Sequence, residues 1–207
     1  MSLKKRSFRK ILIKKGGGEK EDSEMITAIS ENKKDDVKEL LNKGANPNTK
    51  GINGIPGIIM ASFMGYTDIV RLLLENGADI NVKYNDGRTA LMSASLEGNT
   101  DTVKLLLENG ANINDKSKDG RTALIAASYY GHTDTVKTLL ENGANINDQT
   151  TDGKTALIFA TTNDRKDTMK LLIENGADVN LRGGKSRRRG RKMKNSRKKR
   201  KTRKIKK

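Results

Sequence analysis

Residues 86–114 read DGRTALMSASLEGNTDTVKLLLENGANIN, and this stretch divides into the parts of one small helical unit. It opens with Asp86 and Gly87, two residue types that tolerate the left-handed backbone of a tight turn. Thr89 can cap the helix that follows, because its hydroxyl can accept a hydrogen bond from an amide in the first turn. Gly98 is expected to end that helix.

A second helix is predicted to begin at Asp101, whose carboxylate suits the positive end of a helix dipole. Val103, Leu106 and Leu107 recur at helical spacing and form one apolar face. Gly110 then ends the helix, and the next four residues lead out in extended form. One stretch of sequence therefore predicts a turn followed by two short helices.

The same unit recurs along the chain with a period of 33 residues. Glycine followed by alanine occurs at Gly44, Gly77, Gly110, Gly143 and Gly176. Asparagine follows four residues later at Asn48, Asn81, Asn114, Asn147 and Asn180. A fixed period in this range is typical of a solenoid, in which each repeat packs only against its neighbours. The low aromatic content, 3% of residues, agrees with thin layers rather than one large core.

The sequences DGRTAL at 86–91 and LLLENGANIN at 105–114 resemble the ankyrin repeat, and the signature returns at 119–127 and 152–160. This resemblance implies an all-α ankyrin-repeat solenoid over residues 21–181, with paired antiparallel helices and a β-hairpin finger at each junction. The near-identical repeats with lysine-rich ends are also similar to ankyrin proteins of large DNA viruses. That likeness would make the partner a host protein.

Five repeats are expected, and they are unequal. We number them unit 1 (21–50, an N-terminal cap), unit 2 (51–83), unit 3 (84–116), unit 4 (117–149) and unit 5 (150–181, a C-terminal cap). In unit 2, Pro56 and Gly57 replace the threonine and alanine of the pattern, which predicts a first helix that starts late or is looser. In unit 5, Asp164 replaces the glycine between the two helices.

Positions that vary between repeats are free for partner contact, and the resemblance places them on the concave ankyrin surface. The finger tips offer Ile52, Ile55, Asn85, Arg88, Lys118, Arg121, Thr151 and Lys154. The ends of the first helices offer Phe63, Met64, Leu96, Glu97, Tyr129, Tyr130, Thr162 and Asn163. Five of these residues are large and apolar at sites that solvent should reach, which is typical of interface anchors: Phe63, Met64, Leu96, Tyr129 and Tyr130. The alternative is that they pack on neighbouring repeats, and that Lys118, Arg121 and Lys154 are merely solvated.

The net charge of +17 is divided very unevenly along the chain. An N-terminal arm, residues 1–20, carries +7, and residues 182–207 carry +17 with no acidic residue, whereas residues 21–181 carry −7. Such density of like charge repels itself, so both arms are expected to be disordered. The N-terminal arm also interleaves apolar with basic residues and could instead form a short amphipathic helix on a membrane or partner.

The C-terminal tail contains two dense basic blocks. Their residues are Arg187, Arg188, Arg189, Arg191 and Lys192, then Arg197, Lys198, Lys199, Arg200 and Lys201. The function they indicate most strongly is recognition by a nuclear import receptor. Nonspecific, salt-sensitive binding of nucleic acid ranks second. For attachment to anionic lipid, the tail lacks an apolar anchor. A purely solubilising tail is the remaining alternative.

The sequence contains few of the residues that enzymes use for catalysis. The chain has no cysteine and one histidine, His132, at a link between helices where the repeat pattern often has one. No phosphate-binding loop, dinucleotide fingerprint or metal-ligand cluster is present, and no cofactor is expected. No apolar run approaches the roughly 18 residues of a membrane span. We therefore expect a monomeric, intracellular, non-enzymatic adaptor of the nucleus or cytoplasm, with a nucleic-acid-associated or packaging protein as the rival class.

Overall fold

The computed structural model describes residues 20–181, so the basic arm predicted at 1–20 and the tail at 182–207 lie outside the described residues except for Lys20. This part of the chain contains ten α-helices and one short 3₁₀-helix, Ile52–Gly54. The α-helices are α1 (Lys20–Ser30), α2 (Lys34–Asn42), α3 (Gly57–Met64), α4 (Thr67–Glu75), α5 (Ala90–Glu97), α6 (Thr100–Glu108), α7 (Ala123–Tyr130), α8 (Thr133–Glu141), α9 (Ala156–Thr162) and α10 (Lys166–Glu174).

The helices form five pairs, one in each of the units 1 to 5, joined within a pair by two or three residues. The first helices of successive pairs pack against one another, and so do the second helices, which gives two parallel rows. Each helix also contacts its partner within the pair. This all-helical stack agrees with the predicted solenoid.

The two rows are buried to different degrees. In the row of first helices, six consecutive residues of α5, from Ala90 to Ser95, are all buried, because helices lie against both sides of it. In the row of second helices, α6 buries one face that includes Val103 and Leu106, and its other face meets solvent. The core is therefore one continuous apolar layer that runs along the stack.

Threonine caps three of the first helices, as Thr89 was predicted to do. Thr89, Thr122 and Thr155 each accept a hydrogen bond from the amide three residues later, at 3.3 Å. Pro56 holds this position in unit 2 and provides no side-chain cap, yet α3 begins at the register position of Ala90 and is also eight residues long. The predicted late start is wrong, because the φ of −59° at Pro56 already suits a helix entry.

A residue in the left-handed conformation separates the two helices of each pair. Gly98 ends α5 at φ 71°, as predicted. In the two terminal units the equivalent residues are Asn32 at φ 58° and Asp164 at φ 52°. Asparagine and aspartate are the residue types other than glycine that best tolerate this region, so the terminal units keep the same turn with a different residue.

Residues 20–181 contain no β-strand, and the β-hairpin fingers implied by the resemblance are not confirmed. The junctions are tight turns closed by backbone hydrogen bonds across the turn. The Ser117 amide, for example, donates to the Arg121 carbonyl at 3.0 Å, and the Gly120 amide donates to the Ser117 carbonyl at 2.9 Å. Successive turns then stack, because the Thr151 amide donates to the Asp119 carbonyl at 2.9 Å. Among the described residues, the one isolated bridge of β type joins Lys50 and Pro56.

The recurring asparagine links each unit to the next. Its side-chain oxygen accepts a hydrogen bond from a backbone amide of the following unit, at 2.7 to 2.9 Å. The four pairs are Asn48 with Asp79, Asn81 with Asn112, Asn114 with Asn145, and Asn147 with Asp178. Each bond holds one turn against the next, which agrees with the recurrence of asparagine at the 33-residue period.

Candidate functional site

Three cations occupy the same position in the turns of units 3, 4 and 5, and each is held by the aspartate two residues earlier. The pairs are Arg88 with Asp86, Arg121 with Asp119 at 2.8 Å, and Lys154 with Asp152 at 2.9 Å. Such exposed pairs add little to stability, about 0 to 1 kcal/mol. Their effect is to fix where the positive groups lie along one edge of the stack.

Aromatic rings lie beneath two of these cations. The guanidinium carbon of Arg121 is 5.8 Å from the centre of the Tyr129 ring and 5.7 Å from that of Phe159. The Lys154 ammonium lies 5.6 Å from the Phe159 ring centre. The two rings are themselves in contact, 5.6 Å apart and tilted by 60°. These distances fall within the range of cation–π attraction, so the turns and the first helices form one connected cluster.

The cluster continues along the end of α7 towards unit 3. Tyr129 meets Tyr130 edge to face with ring centres 4.8 Å apart, and Tyr130 stacks near His132 at 6.1 Å. The Nε2 atom of His132 lies 3.1 Å from the Leu96 carbonyl oxygen. The histidine thus bridges two units, in keeping with the structural role that its place in the pattern predicts.

A cavity of about 200 Å³ lies beside this cluster, between the turns of units 3 and 4. Its apolar floor includes Met92, Leu96 and Ala126, and Arg88 and Arg121 stand at its rim. In the next unit along the stack, Phe159 occupies the register position of Ala126, and its ring centre lies 5.7 Å from the Arg121 guanidinium carbon. The surface therefore offers an apolar cavity beside the rings of Tyr129 and Phe159, which we call the aromatic platform.

The carboxylate at the edge of the platform is held in its charged form. Hydrogen bonds from the Thr150 hydroxyl and the Lys154 ammonium lower the pKa of the exposed Asp152 carboxyl below its ordinary value. A lowered pKa in the folded chain means that the Asp152 interactions persist at neutral pH and are lost only as the pH falls through that pKa. Lys154 is thereby kept in place above Phe159.

The structure places twelve of the sixteen predicted contact residues where solvent reaches them, and the side chain of Ile52 lies outside the described residues. Exposed are Asn85, Lys118, Arg121, Thr151 and Thr162; half-buried are Arg88, Leu96, Glu97, Tyr129, Tyr130, Lys154 and Asn163. The cluster and the cavity bring together Arg88, Leu96, Lys118, Arg121, Tyr129, Tyr130 and Lys154. The others lie apart from it; for example, Asn163 caps its own helix by donating to the Phe159 carbonyl at 2.8 Å.

The expected exposure of Phe63 and Met64 is wrong. They are 8% and 5% exposed, because every residue of α3 is buried in a helix packed between α1 and α5. Ile55, expected at a finger tip, is also buried, at 8%. The basic-block residues from Arg187 to Lys201 lie outside the described residues.

Sequence reasoning missed Phe159, the ring that joins Arg121 to Lys154. The signal was available, since this register position holds Met60, Ser93, Ala126 and Phe159 in units 2 to 5 and thus varies as much as the predicted contact positions. Asp86, Asp119 and Asp152 were interpreted only as turn formers, and the structure adds their ion pairs.

Residues 20–181 contain neither a helix that could span a membrane nor a cluster of metal ligands. None of their helices combines the length and apolar character that crossing a bilayer requires. No three histidine or acidic side chains in this part of the chain come together as metal ligands would.

Comparison with known families gives a match. The family model for ankyrin repeats (3 copies) aligns with residues 25–117 and again with 113–183, well over half of the chain. A comparison with curated proteins gives no match.

Proposed function

The chain belongs to the ankyrin repeat family, and from this premise we propose that it is a scaffold of five repeats that binds a protein partner on the surface formed by α5, α7, α9 and the turns between them. Ankyrin repeats generally mediate protein–protein interaction, and the family is typically non-enzymatic. We also propose that the partner is a host protein, on the resemblance to ankyrin proteins of large DNA viruses that the sequence suggested. The proposed site is centred on Arg121, Tyr129 and Phe159.

The observation that carries this proposal is the Arg121 guanidinium held over two rings. Arginine and tyrosine are enriched among the residues that dominate binding energy at interfaces. Here the guanidinium is already positioned by Asp119 at 2.8 Å and by the rings at 5.7 and 5.8 Å, so little side-chain freedom remains to be lost on binding. The cavity beside it, about 200 Å³ in volume, can accept an apolar side chain of the partner.

Replacing Arg121 and Tyr129 together by alanine should weaken partner binding at least about 30-fold, the effect of losing about 2 kcal/mol at a hot spot. Full-length bait proteins would be incubated with cell extract, and captured proteins quantified by mass spectrometry. We expect a prey that wild type retains and the double variant loses. Its dissociation constant would then be measured with purified protein.

The matched control is Lys137→Ala, which removes an exposed cation from α8 on the opposite row of helices. This variant should capture the same prey as wild type. Circular dichroism would confirm that all three baits are folded to the same extent. An unchanged prey set with the Arg121 and Tyr129 variant would refute the proposed site.

We propose that the tail, residues 182–207, carries the scaffold to the nucleus or to nucleic acid. The argument rests on its composition, 17 basic residues and no acidic one, beside a body of net charge −7. Each phosphate neutralised by such a tail releases condensed counterions, so binding would be tight at low salt and indifferent to base sequence. The rival function, a nucleic-acid-associated or packaging protein, assigns the primary work to the same residues.

Deleting residues 182–207 should separate the two functions. Fluorescence anisotropy with a duplex DNA probe would show loss of binding and of its steep salt dependence, and a fluorescent fusion would show loss of nuclear accumulation. The scaffold function predicts that the truncated chain still captures its protein prey through the Arg121 surface. If the prey disappears together with the DNA binding, the rival function is favoured.

A further inference from the structure

Two kinds of contact between successive units, from the recurring asparagine and from the link between helices, recur at fixed repeat positions, so each end of the stack holds residues at one half of those contacts. In the asparagine series, Asn180 of unit 5 has the position of Asn147, and residues 20–181 contain no later unit that could supply an amide to it. At the other end, Asn46 of unit 1 has the position of Asp79, whose amide donates to Asn48. Within residues 20–181 neither the Asn180 side-chain oxygen nor the Asn46 amide has a partner.

A second contact is an ion pair between units 1 and 2, and the repeat positions of its two residues hold opposite charges at the two ends of the stack. The Lys34 ammonium at the start of α2 reaches the Asp68 carboxylate of unit 2 at 3.1 Å. Lys166 has the position of Lys34 in unit 5, and Asp35 has the position of Asp68 in unit 1. In the described part of the chain, Lys166 and Asp35 form no ion pair, so a cation stands at one end and its complementary anion at the other.

A third contact joins the link between the two helices of one unit to the end of the first helix in the preceding unit. Asn99 donates to the Phe63 carbonyl at 3.0 Å, and Arg165 donates to the Tyr129 carbonyl at 3.3 Å. In unit 1 this link position holds Lys33, and in unit 5 the matching carbonyl is that of Thr162, at the end of α9. A lysine beside the C-terminal end of a helix is favourable, because the carbonyls there carry partial negative charge.

Apolar side chains at both ends of the stack are also left partly uncovered. Ile173 and Val179 of unit 5 are 46% and 64% exposed, whereas the equivalent residues Leu140 and Ile146 of unit 4 are half-buried against unit 5. The opposite end has an open cavity of about 370 Å³ between α1 and α2. Leu40 and Ala28 contribute apolar surface to it, as do several charged residues.

We propose that the C-terminal end of the stack binds the N-terminal end of a second copy of this chain, so that the solenoid continues from head to tail. Asn180, Lys166 and Thr162 of one copy would meet Asn46, Asp35 and Lys33 of the next, in the register already seen between units. The chain's own tail does not suit the apolar end, because residues 182–207 hold 17 basic residues and only Met193 and Ile205 as large apolar ones.

Head-to-tail contact of this kind uses two different surfaces and does not close into a dimer. Each copy that joins leaves one end of each kind free, so longer chains form as the concentration rises. This proposal differs from the expectation of a monomer drawn from the sequence. The basic arms of neighbouring copies repel each other, and about 0.15 M salt screens that repulsion beyond roughly 8 Å.

Sedimentation velocity of the full-length chain at that ionic strength tests the proposal. We expect the weight-average mass to rise continuously with concentration and to exceed that of a dimer. One variant blocks the C-terminal end, Lys166→Glu with Val179→Lys, and another blocks the N-terminal end, Lys33→Glu with Asp35→Lys. All four side chains are exposed, so both variants should fold as wild type does.

Each blocked variant should be monomeric alone, and an equal mixture should form dimers and nothing longer, because each variant retains one intact end. Lys137→Glu, an exposed charge reversal on α8, should associate as wild type does. A wild-type chain that stays monomeric at every concentration would overturn the proposal. So would a blocked variant that still associates with itself, or a mixture that remains monomeric.

Discussion

Gly120→Ala is expected to lower the free energy of unfolding by about 2–3 kcal/mol, the sum of a left-handed backbone penalty of about 1–2 kcal/mol and a lost hydrogen bond of about 1 kcal/mol. Gly120 has φ 79° in the turn of unit 4, and an added Cβ would lie 2.8 Å from the Thr151 amide nitrogen. That atom belongs to the backbone of the next turn and cannot rotate away. The turns of units 4 and 5 must then separate, which breaks the bond from the Thr151 amide to the Asp119 carbonyl.

Gly143→Ala is the matched control, in the same unit and with the same backbone conformation. Gly143 has φ 85°, but an added Cβ would meet no atom within 4 Å. It should therefore show the left-handed penalty alone, about 1–2 kcal/mol. Urea unfolding followed by far-ultraviolet circular dichroism would compare the two full-length variants, and equal losses would contradict the role assigned to the stacked turns.

The same comparison bears on function, because Gly120 lies between Asp119 and Arg121. Moving this turn should displace the guanidinium from Tyr129 and Phe159, from which it is now separated by 5.8 and 5.7 Å. Partner capture should then fall with Gly120→Ala and stay near the wild-type level with Gly143→Ala. The comparison connects one backbone position to both the stability of the stack and the shape of the candidate site.

The helices could be predicted from sequence because each is decided by chemistry within a few residues. The Thr89 cap and the Gly98 end act over three or four residues of local backbone, and both were found as expected. Repetition strengthens the prediction of the helices, because a sequence pattern that is ambiguous in one unit occurs again in the next. Even Asp164, which departs from glycine, adopts the left-handed turn of its position.

The exposure of individual contact residues could not be predicted in the same way. Phe63 and Leu96 share a register position, yet Phe63 is 8% exposed and Leu96 is half-buried. The difference depends on what packs around each unit, and the pattern within a unit does not contain that information. The partner contacts proposed for the half-buried residues remain predictions until binding is measured.

The aromatic platform was missed for a different reason. Phe159 stands in the middle of a first helix, where an apolar residue is expected in the core, and it is indeed 8% exposed. Its functional interest lies in contacts made 38 residues away in sequence, with Arg121 at 5.7 Å. Contacts between units of this kind need coordinates, whereas variation at the position was visible beforehand.

At the link between the two helices of a unit, the sequence pattern predicted a structural role but did not predict the partner residue. His132 was expected to be structural because the repeat pattern often has histidine there, but its partner, the Leu96 carbonyl at 3.1 Å, lies in the preceding unit. Asn99 and Arg165 make equivalent contacts with different chemistry. A position can therefore keep its role between units while its residue type changes, which comparison of residue types alone does not detect.

Leu106→Ala should lower the free energy of unfolding by about 3–5 kcal/mol, as expected for a fully buried leucine whose loss leaves a cavity. Leu106 is 0% exposed and lies in α6, in the middle unit of the five. In a stack, stability comes from each unit and from its contacts with its two neighbours. Weakening unit 3 should therefore uncouple units 1 and 2 from units 4 and 5, and unfolding should divide into two transitions.

Leu172→Ala removes the same side chain, also 0% exposed, from α10 in the terminal unit. Unit 5 has one described neighbour, so its loss should fray that end and leave the remaining units unfolding near the wild-type midpoint, with a smaller slope because less surface is exposed. Urea titration would give the number of transitions, and hydrogen exchange by mass spectrometry would locate them. A single cooperative transition of equal midpoint in both variants would show that the chain unfolds as one block, against the behaviour expected of a stack held by nearest-neighbour contacts.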